Sequence, residues 1–391
     1  MSANANTSTT TVAANTAATP VRVSPETLAR TIQGAGLPVA NVVVRTVPDA
    51  RGTVVYIPQD HLYPGSNPAD AVNDGAATTQ NQIKSIVSYL TGTLGVHGVM
   101  VEGTNVGPVA TDTLTVLGQK MQAATNLASA ADNLARVCSS TTCGGAIAGA
   151  RALSANLTRE SALVGGAQEA KASGGTFALV GVENASTEAA AGDLVRDYYY
   201  LNDRLASLTT PSQNAFALAN PAQLVQLSSH ANTSGPVMDV SDGMLAALPK
   251  DQAIAAQTSA FTKAVQAAHS AEEAGNALLA KQAANLPPRS ANPYGGVSSS
   301  AVLQQKIAAD ENQMQAVIVD ERNRETAANA AQALGTLGTD TGVLVFGAGH
   351  TSGLLSALAA QKLSVVVVVP KQLAGDTGLA AALGGGQTPG S

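Results

Sequence analysis

The sequence has no tryptophan, and charged side chains make up only 12% of its 391 residues, about half the roughly 25% usual in globular proteins. Nucleic-acid binding calls for a basic face, and with 21 Lys and Arg against 27 Asp and Glu, net charge −6, the chain has none to offer. Long hydrophobic runs are missing too. Nothing approaches the roughly 18 unbroken apolar residues of a membrane span; the run Val365 to Pro370 is strand-sized. The opening MSANANTSTTTVAANTAATP carries no Lys or Arg and no apolar centre, which excludes an intact signal peptide and predicts a disordered polar arm over 1–20. Cysteine is scarce: Cys138 and Cys143 stand alone in RVCSSTTCGG. No second Cys or His pair accompanies them, so they do not read as a zinc site. The small, turn-forming residues between them suit either a local disulfide or two free thiols in a loop. The disulfide implies an oxidising compartment and, with the low charge, an extracytoplasmic location.

Hydrophobic residues fill 45% of the chain, enough for one large domain or two ordinary ones. Short Val- and Ile-rich runs bounded by Gly or Pro mark strands: 54–57 leading into PQDH, 96–101 into Glu-Gly, 177–182 into Glu-Asn, 343–346 into GAGH, and 364–369 ending at Pro370. The run 42–47 is a further strand or half of a hairpin. Such near-continuous apolar runs fit buried parallel strands. Helical periodicity lies between them. Ile83, Ile86, Val87, Leu90 and Leu94 form one stripe, a helix over 351–363 completes a compact βαβ unit, and Ala-rich helices are expected over 112–136, 144–170, 186–208, 251–285 and 299–334. No repeat period is visible. The expected fold is therefore α/β: a central, mostly parallel sheet flanked by helices, with a long Ala-rich helical insertion. In domain terms, 21–103 forms the first part of the core, 104–175 the insertion, 176–380 the rest of the core, and 381–391 a flexible tail.

Four of these strands end on ionisable residues: Asp60 and His61, Glu102, Glu183, and His350. In open α/β sheets ligands bind beyond the carboxyl ends of the strands, so parallel strands would bring the four groups together. Two imidazoles and two carboxylates can ligate a divalent transition metal or form a metal-free acid/base site. Each residue also has a plainer explanation. A lone His after a strand is commonly a surface or cap residue, Glu102 could be a loop carboxylate, and Glu183 could begin a helix. The Gly347–Gly349 turn could bind an anion at a helix N-terminus or simply be tight. His97, within the second strand, and His269, in an Ala-rich helix, read as structural; His230 lies in a Ser-rich loop. Arg322 could clamp a carboxylate or an oxyanion, but Asp320, Glu321, Arg324 and Glu325 crowd the same turn, and spacing alone favours a solvated charged face.

Taken in order, IPQDHLYPG, Gln80 and Gln82 in a helix, and VMVEG resemble the opening of the TraB/TIKI and erythromycin-esterase/ChaN-like superfamily. ERNRETAANAAQAL followed by VLVFGAGHTSGLLSAL resembles its Glu-Arg-Asn/Asp segment and its Gly-x-x-His strand end, and FALVGVEN resembles the Gly-x-Glu segment of bacterial relatives. The matching blocks cover 54–103, 176–205 and 318–370. Pro58 stands where the family usually has a Gly three residues before its His. The resemblance implies a central sheet with a site at the strand ends, in a group that includes metal-dependent peptidases, esterases and haem- or iron-binding proteins. It implies catalytic roles for His61, Glu102 and Arg322 and metal ligation by His61, Glu102 and His350. Asp60, Glu183, Gly347 and Gly349 are left as substrate contacts. The expected function is hydrolysis of a peptide or ester bond, either with a divalent metal as the cofactor or, without one, with His61 or Glu102 as the general base. The alternatives are a haem or metal binder without turnover, and a structural or interaction protein on a degenerate enzyme fold, which the low charge, Ala-rich helices and absence of Trp also suit. Expected partners are a small-molecule or peptide substrate and a second copy of the chain, with no nucleic acid and no membrane span.

Overall fold

The computed structural model describes residues 23–60, 71–207, 239–284 and 299–384. The expected N-terminal arm, His61, His230 and most of the tail lie outside them. Strands β1 (Val39–Arg45), β2 (Gly52–Gln59), β3 (Gly98–Asn105), β4 (Gly107–Pro108), β5 (Ala178–Glu183), β6 (Thr341–Gly347) and β7 (Leu363–Pro370) form one sheet in the order β1-β7-β2-β6-β3-β5-β4. The inner pairings β7–β2, β2–β6, β6–β3 and β3–β5 are all parallel. Only the two edge strands run antiparallel, β1 against β7 and β4 against β5. The fold is α/β with a mostly parallel sheet. The run expected at 42–47 is the edge strand β1, paired with β7 rather than in a hairpin with β2.

The inner strands β2 and β7 are buried along their whole length because both faces are covered, whereas most of the edge strand β1 is exposed or half-buried. Alternate residues point to opposite faces. Val55, Ile57, Val99, Val101, Val343, Val345, Val366 and Val368 join one core, which includes Ile83, Ile86, Val87 and Leu90 of α2 (Ala71–Gly92). Val54, Tyr56, Met100, Leu344, Phe346, Val365, Val367 and Val369 join the other, with Ala327, Ala330 and Leu334 of α10 (Arg322–Leu337) and Leu354 and Leu358 of α11 (Thr351–Ala360). His97 precedes β3 rather than lying within it and is exposed.

The remaining helices are α1 (Pro25–Gln33), α3 (Thr111–Val137), α4 (Thr141–Val164), α5 (Gly166–Ala172), α6 (Ala185–Ser207), α7 (Asp242–Ala246), α8 (Ala255–Ala284), α9 (Ser300–Met314) and α12 (Thr377–Ala382). Between β4 and β5 the chain is helical, and α3 and α4 pack with α8 around a third core that includes Leu127, Leu134, Leu157, Phe261 and Val265. That helical layer thus combines stretches far apart in sequence. Cys138 and Cys143 form a disulfide within it, joining the end of α3 to the first turn of α4. The helix expected over 299–334 is not uniform: a π-helical stretch, Gln315–Glu321, separates α9 from α10 and delivers Arg322 at its end. Such stretches are frequent at functional sites. Among the described residues no helix is long and apolar enough to cross a membrane.

Candidate active site

Because β2, β6, β3 and β5 are parallel neighbours, their carboxyl ends meet at one edge of the sheet. There Glu102 of β3, Glu183 at the end of β5 and His350, just beyond β6, converge on Arg322 from α10. The guanidinium lies between the carboxylates. Its Nη2 is 2.9 Å from Glu102 Oε1 and 2.5 Å from Glu183 Oε1, and its Nε donates to the same Glu183 oxygen at 2.6 Å. Nη1 lies 3.4 Å from His350 Nε2. The side chains are 14%, 8% and 2% exposed for Arg322, Glu102 and Glu183, so the triad is close to fully desolvated. Phe346 closes it from the sheet side, with its ring 5.4 Å from the guanidinium carbon and edge-on to His350.

Backbone donors fix both carboxylates. Gly103 has φ 71°, a left-handed conformation that glycine adopts without strain, and this turns its N–H onto Glu183 Oε2 at 2.5 Å. The Gly347 N–H donates to Glu102 Oε2 at 2.6 Å. Gly347 therefore spends its amide on holding Glu102. The same oxygen accepts from Gln59 Nε2 at 3.0 Å, and the Gln59 side-chain Oε1 accepts from Gln80 Nε2 at 3.2 Å. Gln80, buried on α2, also donates to the Asp60 carbonyl and accepts the Gly166 N–H. A relay of amides thus runs from α5 to Glu102.

The protonation of His350 follows from its neighbours. Arg322 can only donate, so His350 Nε2, facing it, accepts. The proton is then on Nδ1, which lies 3.0 Å from Asn323 Oδ1 and donates to it. Asn323, 2% exposed, fixes the ring in this tautomer and leaves Nε2 as the basic nitrogen. Room for Asn323 comes from Gly353 of α11, where any Cβ would strike Asn323 Nδ2. Tyr56 supports the turn beneath: its hydroxyl donates to the Gly347 carbonyl at 3.1 Å and shares a hydrogen bond with Thr351 at 2.9 Å.

Two carboxylates, one guanidinium and a neutral imidazole carry an excess negative charge in a desolvated place. Burial pushes the Glu183 carboxyl up to about 7; Arg322 opposes the rise, Glu102 adds to it, and the Gly103 N–H opposes it. Glu188, in the first turn of α6, is raised for the same leading reason. Burial works against the Arg322 charge, but Glu183 and Glu102 outweigh it and push its pKa up, so it stays a cation. A folded-state pKa above the unfolded value means that the native protein holds the proton more tightly. The resulting stability is present below about pH 4.5 and lost as pH rises through about 7. We expect chemical denaturation of the wild type to show a decline on the order of 1–3 kcal/mol across that window. In Glu183→Gln the Glu183 share of that decline should vanish; an unchanged slope would show that Glu183 does not titrate there.

The geometry of the described residues does not fit a resident metal. Ligation by Glu102 and His350 would place one ion about 2.0–2.2 Å from both. Instead Arg322, a fixed cation, holds that place: it is hydrogen-bonded to Glu102 and in contact with His350 Nε2. Among the described residues no group of three or more His, Cys, Asp or Glu is placed to hold an ion. Of the site residues expected from sequence, Glu102, Glu183, Arg322 and His350 come together, the Asp60 backbone borders them, exposed Gly349 lies in the turn before His350, and His61 is outside the described residues. Sequence reasoning missed Gln59, Asn323 and Tyr56 as supports. The ERN tripeptide, which puts Asn323 directly after Arg322, was the available signal for one of them. Fold and site together define an α/β protein with a buried Glu-Arg-Glu-His cluster at the carboxyl edge of its sheet. No protein-family model, curated protein or solved structure matches the chain.

Proposed function

We propose that this chain is a hydrolase acting on a peptide or ester bond at the Glu102–Glu183–Arg322–His350 cluster. The observation that carries the reading is a desolvated general-base candidate, His350, whose tautomer is set by Asn323 so that Nε2 faces the guanidinium. In this scheme His350 Nε2 exchanges its contact with Arg322 Nη1 for a water and takes a proton from it as the water oxygen adds to the carbonyl carbon. Arg322, held on its far side by Glu183, stabilises the oxyanion that forms. The carbonyl-to-leaving-group bond then breaks, and the proton held by His350 passes to the leaving amine or alcohol. Water is consumed, and one acid and one amine or alcohol are released. The likeness of these residues to the TraB/TIKI and erythromycin-esterase/ChaN-like superfamily supports the same reaction class, and His61 is kept as a further candidate on that ground.

The test is a panel of chromogenic esters and short peptides run with wild-type protein, with Glu102→Gln, and with EDTA-treated protein. The reading expects hydrolysis of at least one panel member, a loss of at least a hundredfold in Glu102→Gln, and little effect of EDTA, because the water is activated by an imidazole. Failure to turn over any ester or peptide would sink it. Activity abolished by EDTA and restored by a divalent ion would return the water-activating role to a metal.

A further inference from the structure

Three groups along the amide relay have a fixed polarity. The Gly166 main-chain N–H can only donate, and the Asp60 main-chain carbonyl and the Glu102 carboxylate can only accept. Gln80 Oε1 takes the Gly166 N–H at 2.7 Å, while its Nε2 donates to the Asp60 carbonyl at 2.7 Å and to Gln59 Oε1 at 3.2 Å. Gln59 Nε2 then donates to Glu102 Oε2 at 3.0 Å. The orientation of both side-chain amides is therefore set from each end of the relay, and the two ends agree. Gln80 is 0% exposed and Gln59 8%, so water has little access to replace either link. A reversed amide would set carbonyl against carboxylate or N–H against N–H with no solvent to relieve the clash. The seat of Gln80 is equally tight. Any Cβ at Gly166 would strike the Gln80 main-chain carbonyl, and Lys84, one turn further along α2, pairs with buried Glu169 of α5 at 3.8 Å.

We propose that Gln80 is a positioning residue: it imposes one direction on the relay, so that Gln59 always presents its N–H to Glu102, and Glu102, so held, keeps Arg322 at the place where the oxyanion forms. Its role in turnover rests on the hydrolase reading; the direction of the relay does not. Glu102 Oε2 takes the Gln59 and Gly347 donors on one side, which leaves Oε1 to Arg322 Nη2 at 2.9 Å. Loss of the Gln59 donor frees the carboxylate to turn and draws the guanidinium with it. The first donor comes from α5, so the helical region between β4 and β5 reaches the reaction centre through this side chain. Glutamine is what the position needs. Leucine offers neither donor nor acceptor, and an ionised glutamate offers acceptors alone, which would turn Gln59 round and set its carbonyl against Glu102.

The polarity supplies a test that a mere packing role would not pass. In Gln80→Glu the new carboxyl is ionised at pH 9 and can only accept; protonated at pH 5.5, it can again donate to Gln59 while accepting from Gly166. Burial helps it hold that proton. We expect kcat of Gln80→Glu, taken as a ratio to wild type at the same pH, to fall at least about tenfold at pH 9 and to recover toward unity at pH 5.5, with KM little changed. Gln80→Leu should be depressed by the same factor at both pH values. In Gln59→Leu, which cuts the last link, adding Gln80→Leu should lower kcat by less than about twofold, because both act on Glu102 through one route. Urea unfolding reads the direction without turnover: the midpoint of Gln80→Glu should lie below wild type at pH 9 and rejoin it at pH 5.5. That midpoint pattern in a protein that hydrolyses nothing would keep the relay and remove the reaction. Wild-type kcat in Gln80→Leu, or fully additive losses in the double variant, would overturn the positioning role and leave the hydrolase standing. A Gln80→Glu ratio and midpoint depressed equally at both pH values overturn the inference.

Discussion

Arg322→Met is expected to destabilise the fold by on the order of 3–5 kcal/mol at pH 8, the cost typical of removing one member of a buried ion pair. The guanidinium lies between Glu102 and Glu183, whose side chains are 8% and 2% exposed. Without it, two desolvated carboxylates lose the cation they share. The loss should depend on pH in a diagnostic direction. Removing the cation takes away what opposes the rise of the Glu183 pKa, so the penalty is largest where that group must ionise and shrinks as it takes up a proton. Urea denaturation at pH 8 and pH 5 is the measurement, and the pH 5 loss should be less than half the pH 8 loss. Arg322→Lys should fall between, since an ammonium keeps the charge but lacks the planar fork that reaches both carboxylates and the imidazole. Equal losses at the two pH values would mean that methionine disrupts packing and that the triad's charge is incidental.

His350→Gln is expected to lower kcat by about 10²–10⁴-fold with little change in KM, the range typical of losing a positioned general base. Glutamine is close to His in size and can still donate toward Asn323 Oδ1, so the unfolding midpoint should stay near wild type. Asn323→Ala tests the same arrangement indirectly. It leaves the imidazole in place but frees its orientation and tautomer, and a loss of about 10²-fold is expected, as for small misplacements of a reacting group. Steady-state kinetics on the best substrate of the panel reads both. Unchanged kcat in His350→Gln would remove His350 from the chemistry and leave the cluster a structural ion-pair network.

All the strands but the two-residue β4, which no run announced, were legible as short apolar runs rich in Val, and burial of both faces is what makes the inner ones continuous. Their parallel pairing followed from the helices between them, and with it the convergence of Glu102, Glu183 and His350. Arg322 was not legible from spacing. Its neighbours Asp320, Glu321, Arg324 and Glu325 give it the look of a solvated face, and only the π-helical stretch before it turns it inward; no residue pattern in QAVIVDE announces that. Gln59 and Asn323 were hidden for a related reason. Amides gain importance from the partner they meet, and their partners lie 43 and 27 residues away in sequence. The helical layer was only half visible, since α8 joins it from beyond β5.

The order of strands has a consequence for how the chain reaches this state. β1, β2 and β3 share no ladder with one another: β7 separates the first two, and β6 separates the second from the third. Both separating strands come from the last part of the described chain, Thr341–Gly347 and Leu363–Pro370. During synthesis the early strands therefore wait, with apolar faces and hydrogen-bonding edges exposed, until Thr341–Gly347 and Leu363–Pro370 have emerged. Such late, long-range zippering is intrinsically slow and open to aggregation. A ribosome-bound chain stopped at residue 340 would hold several of the sheet's strands and no central sheet, and chaperone dependence would be concentrated in that interval.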